Sequence, residues 1–246
     1  MDETPSYTGH LLPPEPSTTD LRLACIDYQA ICRANVAAIA DRFEQRDDYP
    51  FIDTKLDLKT GRDFRADDPI RGHEAIYGWI QGRGLEALAG HAAWLTQYDD
   101  HQSQTLAARL SAIAEPLLVS LRRMRAKNDG HLYFFMRPDG TPFALDDNGV
   151  PQNIPIETNA ASNFSDLFCA KGMIAGARLL ANEAAEREAI DYARHVSADL
   201  WAQRFVSDQQ PLDPTNPIAH VQGRFDHGPY MISLGTCALN ATVGDT

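Results

Sequence analysis

The chain has 246 residues, a formal net charge of −12 and a sequence pI near 5.0, with 43% hydrophobic and 23% charged residues. Such a length and composition fit one sizeable globular domain, with two as the alternative. The acidic balance argues against nucleic acid and anionic membranes, which need a basic patch; the run Arg122-Arg123-Met124-Arg125 is short and reads as a solvated helix face.

Residues 1–16 carry Asp2 and Glu3 followed by Pro13, Pro14 and Pro16. With neither a cationic nor an apolar region they read as a flexible arm rather than a signal peptide. No apolar run approaches a membrane span, so the expected location is the cytoplasm. Cys25, Cys32, Cys169 and Cys237 are scattered, with no C-x-x-C pair, and are expected as small buried hydrophobes in a reducing compartment. The eight histidines form no H-E-x-x-H or H-x-x-E-H arrangement, so a zinc site has no support.

A first helix is predicted from Ser17-Thr18-Thr19-Asp20 to about Arg46, with Leu23, Ile26, Ile31, Val36, Ile39 and Phe43 as its apolar positions. Alternating polarity from Phe51 to Leu58, beside Thr60-Gly61, predicts a hairpin ending near Phe64. A polar loop then leads to the stretch Arg71–Gln97, where Ile76, Tyr77, Ile80, Leu85, Leu88, Ala92 and Leu95 recur at helical spacing. Its interior glycines Gly78, Gly82, Gly84 and Gly90 each cost a helix about 1 kcal/mol relative to alanine. A helix that keeps them is expected to pack closely on a neighbour. Trp79, Arg83 and Glu86 share one face, and an indole beside a guanidinium suits a sugar. The same spacing also suits a surface stripe in which Arg83 pairs with Glu86.

The next helix, about His101 to Ala126, contains Pro116, which predicts a kink or a division into two. Leu132–Met136, Pro138-Asp139-Gly140 and Thr141–Phe143 predict a second hairpin. Helices follow over about Ser162–Asn182 and Glu183–Phe205, then a loop rich in Asp, Pro, Asn and Gly, then a last helix from about Pro229. The order helix, hairpin, helix pair occurs twice, as in a toroid of helical hairpins.

Four segments carry a family resemblance. Tyr77-Gly78-Trp79-Ile80-Gln81-Gly82-Arg83 resembles the W-x-Q-x-R helix of the N-acylglucosamine 2-epimerase family. Gly130–Phe135 through Pro138-Asp139-Gly140 resembles its G-G-x-Y-F…D-G hairpin, and Asp166-Leu167-Phe168-Cys169-Ala170-Lys171-Gly172 its D-x-F-x-x-x-G helix start. Gly228–Gly235 stands where that family often has N-x-H-M-H-x-x-E; here Tyr230-Met231-Ile232 contains no histidine and Gly235 replaces the glutamate.

The resemblance implies an all-α fold: an open arc of helical hairpins from an (α/α)6-type barrel, with short β-hairpins at one end. It implies one domain over 17–246 that continues beyond 246 in a longer protein, leaving apolar surface at its open edge. The implied activity is a sugar 2-epimerase or aldose–ketose isomerase that removes a proton next to the carbonyl of an open-chain sugar. The alternative is a non-catalytic carbohydrate-binding or interaction module on the same helices. The expected substrate-binding residues are Arg83, Trp79, Gln81, Asp166 and His227, the last with a loop pairing to Asp226 as its bland reading; no catalytic residue is assigned. A small sugar is the expected partner, and a homodimer is compatible with it.

Overall fold

The computed structural model describes residues 12–65, 68–209 and 227–241. Among these the chain forms helices α1 (Thr18–Glu44), α2 (Gly78–Leu95), α3 (His101–Lys127), α4 (Phe164–Leu179), α5 (Glu183–Trp201) and α6 (Gly228–Ala241). Eight short strands lie between them: β1 (Leu56–Asp57), β2 (Arg62–Asp63), β3 (Ile76–Tyr77), β4 (Phe135–Met136), β5 (Phe143–Leu145), β6 (Pro151–Asn153), β7 (Ser162–Asn163) and β8 (Phe205–Val206).

The helices lie in two layers. α2 packs chiefly on α4, and α6 adjoins α4; α3 backs α2, α5 backs α4, and α1 adjoins α3. Ion pairs stitch the second layer together: Arg109 to Asp41 and Glu44 between α3 and α1, and Arg122 to Glu188 between α3 and α5. The main core fills the space between the layers, with Leu85, Leu88 and Leu95 of α2 facing Leu110, Leu117 and Leu121 of α3 and Met173 of α4. This is the all-α, repeat-like architecture expected, but no closure into a barrel is found among the described residues. The ends of the arc expose apolar side chains: Ile26 and Tyr28 on α1, and Met231 and Leu234 on α6, the last 71% exposed.

The α2–α4 contact is a glycine seam. A Cβ on Gly82 would lie 2.5 Å from the Phe168 backbone, and one on Gly172 would lie 2.1 Å from the Gly82 carbonyl oxygen. Gly78 faces the Tyr133 carbonyl at 2.5 Å in the same sense, and Gly84 faces Ile52. Close packing thus explains three of the glycines singled out in α2. Gly90 is different: nothing lies within 4 Å of its Cβ position.

Several local expectations need correction. α2 starts at Gly78 rather than Arg71, because Ile76 and Tyr77 are drawn into a strand opposite Met136 and Phe135, and Gly78 N–H donates to the Phe134 carbonyl at 3.0 Å. Pro116 does not divide α3, which runs unbroken through it. The second hairpin turns at Asp139-Gly140 as expected, with Met136 bridging Pro142 and Arg137 N–H donating to the Thr141 carbonyl at 2.8 Å, but β4 pairs with β3, and β5 pairs with β6 in what reads as a polar loop. α5 ends at Trp201, and Phe205 instead joins β8, parallel to β7. Of the cysteines only Cys169 is buried; Cys25, Cys32 and Cys237 are exposed.

Candidate functional site

The N-terminal ends of α2 and α4 lie together, and two strand pairings fix what surrounds them. β3–β4 brings Phe134 and Phe135 beside the start of α2, while β7 leads directly into α4. The parallel β7–β8 register pairs Ser162 with Phe205 and Asn163 with Val206. Continued in phase, that register sets Asp208 alongside Ser165, and Ser165 Oγ donates to Asp208 Oδ2 at 2.5 Å.

Trp79, in the first turn of α2, is half-buried in an aromatic wall. Its ring lies 5.1 Å from Phe134, 5.4 Å from Phe164 and 5.4 Å from Phe168, centroid to centroid. Its indole N–H donates to Asp208 Oδ1 at 3.2 Å. Removal from water pushes the Asp208 carboxyl up to about 6; the Asp166 charge adds to the shift, and the Ser165 and Trp79 hydrogen bonds oppose it.

One turn further along α2, Arg83 is exposed, its guanidinium 5.6 Å from the Phe168 ring centroid. The surface-pair reading gave it Glu86 as partner. Glu86 is instead bound by Lys171 of α4 at 2.7 Å, so no carboxylate pairs with Arg83 among the described residues. Arg83 also edges a cleft of about 580 Å³ lined by Cys32, Glu86, Gly90, His91 and Trp94. That volume suits a small ligand. The arrangement can offer a flat apolar wall, a directional cation and a carboxyl that exchanges its proton near neutrality. No cluster of His, Cys, Asp and Glu able to hold a metal ion occurs among the described residues.

The other expected site residues lie elsewhere. Gln81 is buried, its Oε1 accepting from Ile52 N–H and its Nε2 donating to the Ile52 carbonyl, each at 2.9 Å. Both ends of the amide are engaged in holding the segment before β1 onto α2, on the side of the helix away from Arg83. Asp166 is fully buried and acts as an anchor: it accepts from His131 Nδ1 (2.8 Å), Leu132 N–H (2.8 Å), Asn163 N–H (3.1 Å) and Tyr192 Oη (2.5 Å). His227 is exposed just before α6, and its carbonyl accepts from Met231 N–H; its expected partner Asp226 lies outside the described residues. Trp79 and Arg83 are therefore the expected residues that the fold brings to one accessible face. Asp208 and Lys171 join them, with the buried Ser165 behind Asp208, without having been singled out as site residues.

No protein-family model and no curated protein matches the chain.

Proposed function

We propose that the face formed by Trp79, Phe168 and Arg83 binds a small sugar, and that the protein is a sugar 2-epimerase or aldose–ketose isomerase acting on the open-chain form. The observation that carries this reading is the state of Arg83. It projects from the glycine-seamed helix over an aromatic ring, beside a ligand-sized cleft, while Lys171 takes the carboxylate that would otherwise pair with it. An exposed guanidinium without a carboxylate partner can donate to the carbonyl and hydroxyl oxygens of a sugar. The aromatic wall supplies the apolar surface against which C–H faces pack. In the proposed reaction Arg83 grips oxygens of the open-chain sugar and so holds it in one orientation for deprotonation next to its carbonyl.

Arg83→Ala is expected to lower kcat/KM for sugar epimerisation or isomerisation roughly ten- to hundred-fold, from the loss of about 1.5–3 kcal/mol of charge-assisted bonding. Its Tm is expected to stay close to wild type, because Arg83 is exposed and makes no ion pair among the described residues. Assay of a panel of aldoses and ketoses with both proteins, with thermal melts alongside, decides it. Unchanged turnover in the folded variant would remove Arg83 from the site.

A second reading, a carbohydrate-binding module without chemistry, draws on α6. A side chain at Gly235, where the resembled family often carries glutamate, would have its Cβ 2.6 Å from Lys171 Nζ. No carboxylate stands at that position, and Lys171 pairs with Glu86 instead. Saturable sugar binding without turnover in the same panel would favour this reading.

A further inference from the structure

We infer that Asp208 is the acid–base residue of this site, removing the proton next to the sugar carbonyl and returning it to the neighbouring carbon. The inference rests on the aldose–ketose isomerase form of that reading and gives it a proton-handling group that the family resemblance does not supply.

The geometry comes first. Asp208 stands at one end of the aromatic wall and Arg83 at the other, with Trp79 and Phe168 between them. A sugar lying along the wall would meet a carboxyl at one end and a guanidinium at the other. Among the described residues one Asp208 oxygen accepts from Trp79 and the other from Ser165, which fixes the plane of the carboxyl. Among the described residues the groups that face it are few. From α2 comes the Trp79 N–H, with Arg83 one turn on; from α4 come the Ser165 hydroxyl and the buried Asp166 and Cys169, both electrostatically coupled to the site. Asp166 is itself held by His131 and Tyr192. No cation pairs with Asp208 among these neighbours, so burial and the Asp166 charge keep it from behaving as an ordinary surface aspartate, whose base strength is too low for the task. Pushed up to about 6, its carboxyl is matched to proton exchange near neutrality.

The step balances without a co-reactant. The carboxylate takes the proton from the carbon next to the carbonyl. The C–H electron pair becomes the carbon–carbon double bond of an enediolate, and the carbonyl π pair moves to oxygen, while Arg83 at the far end of the wall holds the hydroxyls of the same sugar. The carboxylic acid then returns its proton to the former carbonyl carbon, while the proton of the adjacent hydroxyl passes to the first oxygen. An aldose becomes a ketose, or the reverse, and Asp208 is again ionised. One group on one face can perform both transfers.

The test uses the whole chain and the Asp208→Asn variant, with two readouts. The first is kcat and KM against pH for a panel of aldoses and ketoses. Wild type is expected to lose kcat/KM on the acid side as the carboxyl protonates, with a midpoint about 6, and Asp208→Asn to lose about hundred-fold or more in kcat with KM little changed. The second is the fluorescence of Trp79 without sugar, in a background where Trp94 and Trp201 are Phe; it is expected to titrate about pH 6 and to be flat in Asp208→Asn. A folded Asp208→Asn protein that keeps both turnover and the acid limb overturns the assignment while leaving the sugar reading intact. A Trp79 signal that does not titrate near 6 overturns it as well. Failure of wild type to convert any sugar in the panel overturns the reading on which it rests, and the inference with it.

Discussion

Gly172→Ala and Gly82→Ala are each expected to cost this protein about 3 kcal/mol of stability, a large loss for one added methyl. The added carbon at either position would meet backbone of the opposite helix, at 2.1 Å in one case and 2.5 Å in the other. Backbone cannot rotate aside as a side chain can, so α2 and α4 would have to separate, and their core contacts through Leu85 and Met173 would loosen with them. Overpacking of a tight interior costs about 1–3 kcal/mol and occasionally more; a clash with main chain belongs at the upper end. For a domain of this size about 3 kcal/mol corresponds to a drop in Tm of roughly 6–12 °C. Gly90→Ala is the internal control. Its Cβ would enter open space in the same helix, so the gain in helix propensity of about 1 kcal/mol should appear as a small rise in Tm. Thermal melts of the three variants measure it, and equal behaviour at Gly82 and Gly90 would mean that the glycine seam does not hold α2 to α4.

Asp166→Ala is expected to be nearly as severe for a different reason. Its carboxylate collects donors from four places: the His131 ring, the Leu132 and Asn163 backbone and the Tyr192 hydroxyl. All lie at or near the centre of the fold, with Asp166 itself fully buried. Truncation leaves those donors without an acceptor in a site closed to water, and loss of one member of such a buried, charged set costs about 3–5 kcal/mol. The loss should depend on pH. The hydrogen bond to Asp166 raises the His131 pKa above its ordinary value of 6.5, against the opposing effect of burial. A histidine whose folded pKa lies above its unfolded one contributes stability that is full below the unfolded pKa and is lost as pH rises through the folded pKa. Wild type should therefore lose this contribution above pH 6.5, and Asp166→Ala should show no such loss. Denaturant unfolding across that range checks it; parallel pH profiles for the two proteins would contradict the coupling.

The two expectations together show what was legible in the sequence. The glycines of α2 were conspicuous because a helix tolerates them only where something approaches closely, and three of the four meet a close neighbour in the fold. That Trp79 and Arg83 share one face is legible because helical periodicity carries three-dimensional information within one element, and both lie against Phe168. The role of Asp166 was only half visible. A first-turn aspartate is favourable to any helix, and the capping box with Asn163 is local, but the contributions of His131 and Tyr192 come from segments far along the chain. Gln81 was misplaced because its motif partner Trp79 is two residues away, a spacing that turns the side chain toward Ile52. Asp208 carried no signal at all. It lies in a polar loop among other aspartates, and only the parallel pairing of β7 with β8, a two-residue ladder too short to read from alternation, brings it to Ser165 and Trp79.

The most direct test of the central claim, that the Trp79–Phe168–Arg83 face binds an open-chain sugar, is an equilibrium titration of the intact chain with sugar alcohols. These retain the hydroxyls of an open-chain sugar but have no carbonyl to react, so binding is measured without turnover. Calorimetry on wild type and Arg83→Ala, the latter first shown to melt like wild type, gives the comparison. The expected result is saturable binding of at least one sugar alcohol by wild type, weakened roughly ten-fold or more in Arg83→Ala through the loss of charge-assisted bonds. Binding of equal affinity in the two proteins, or no binding to either, would contradict it.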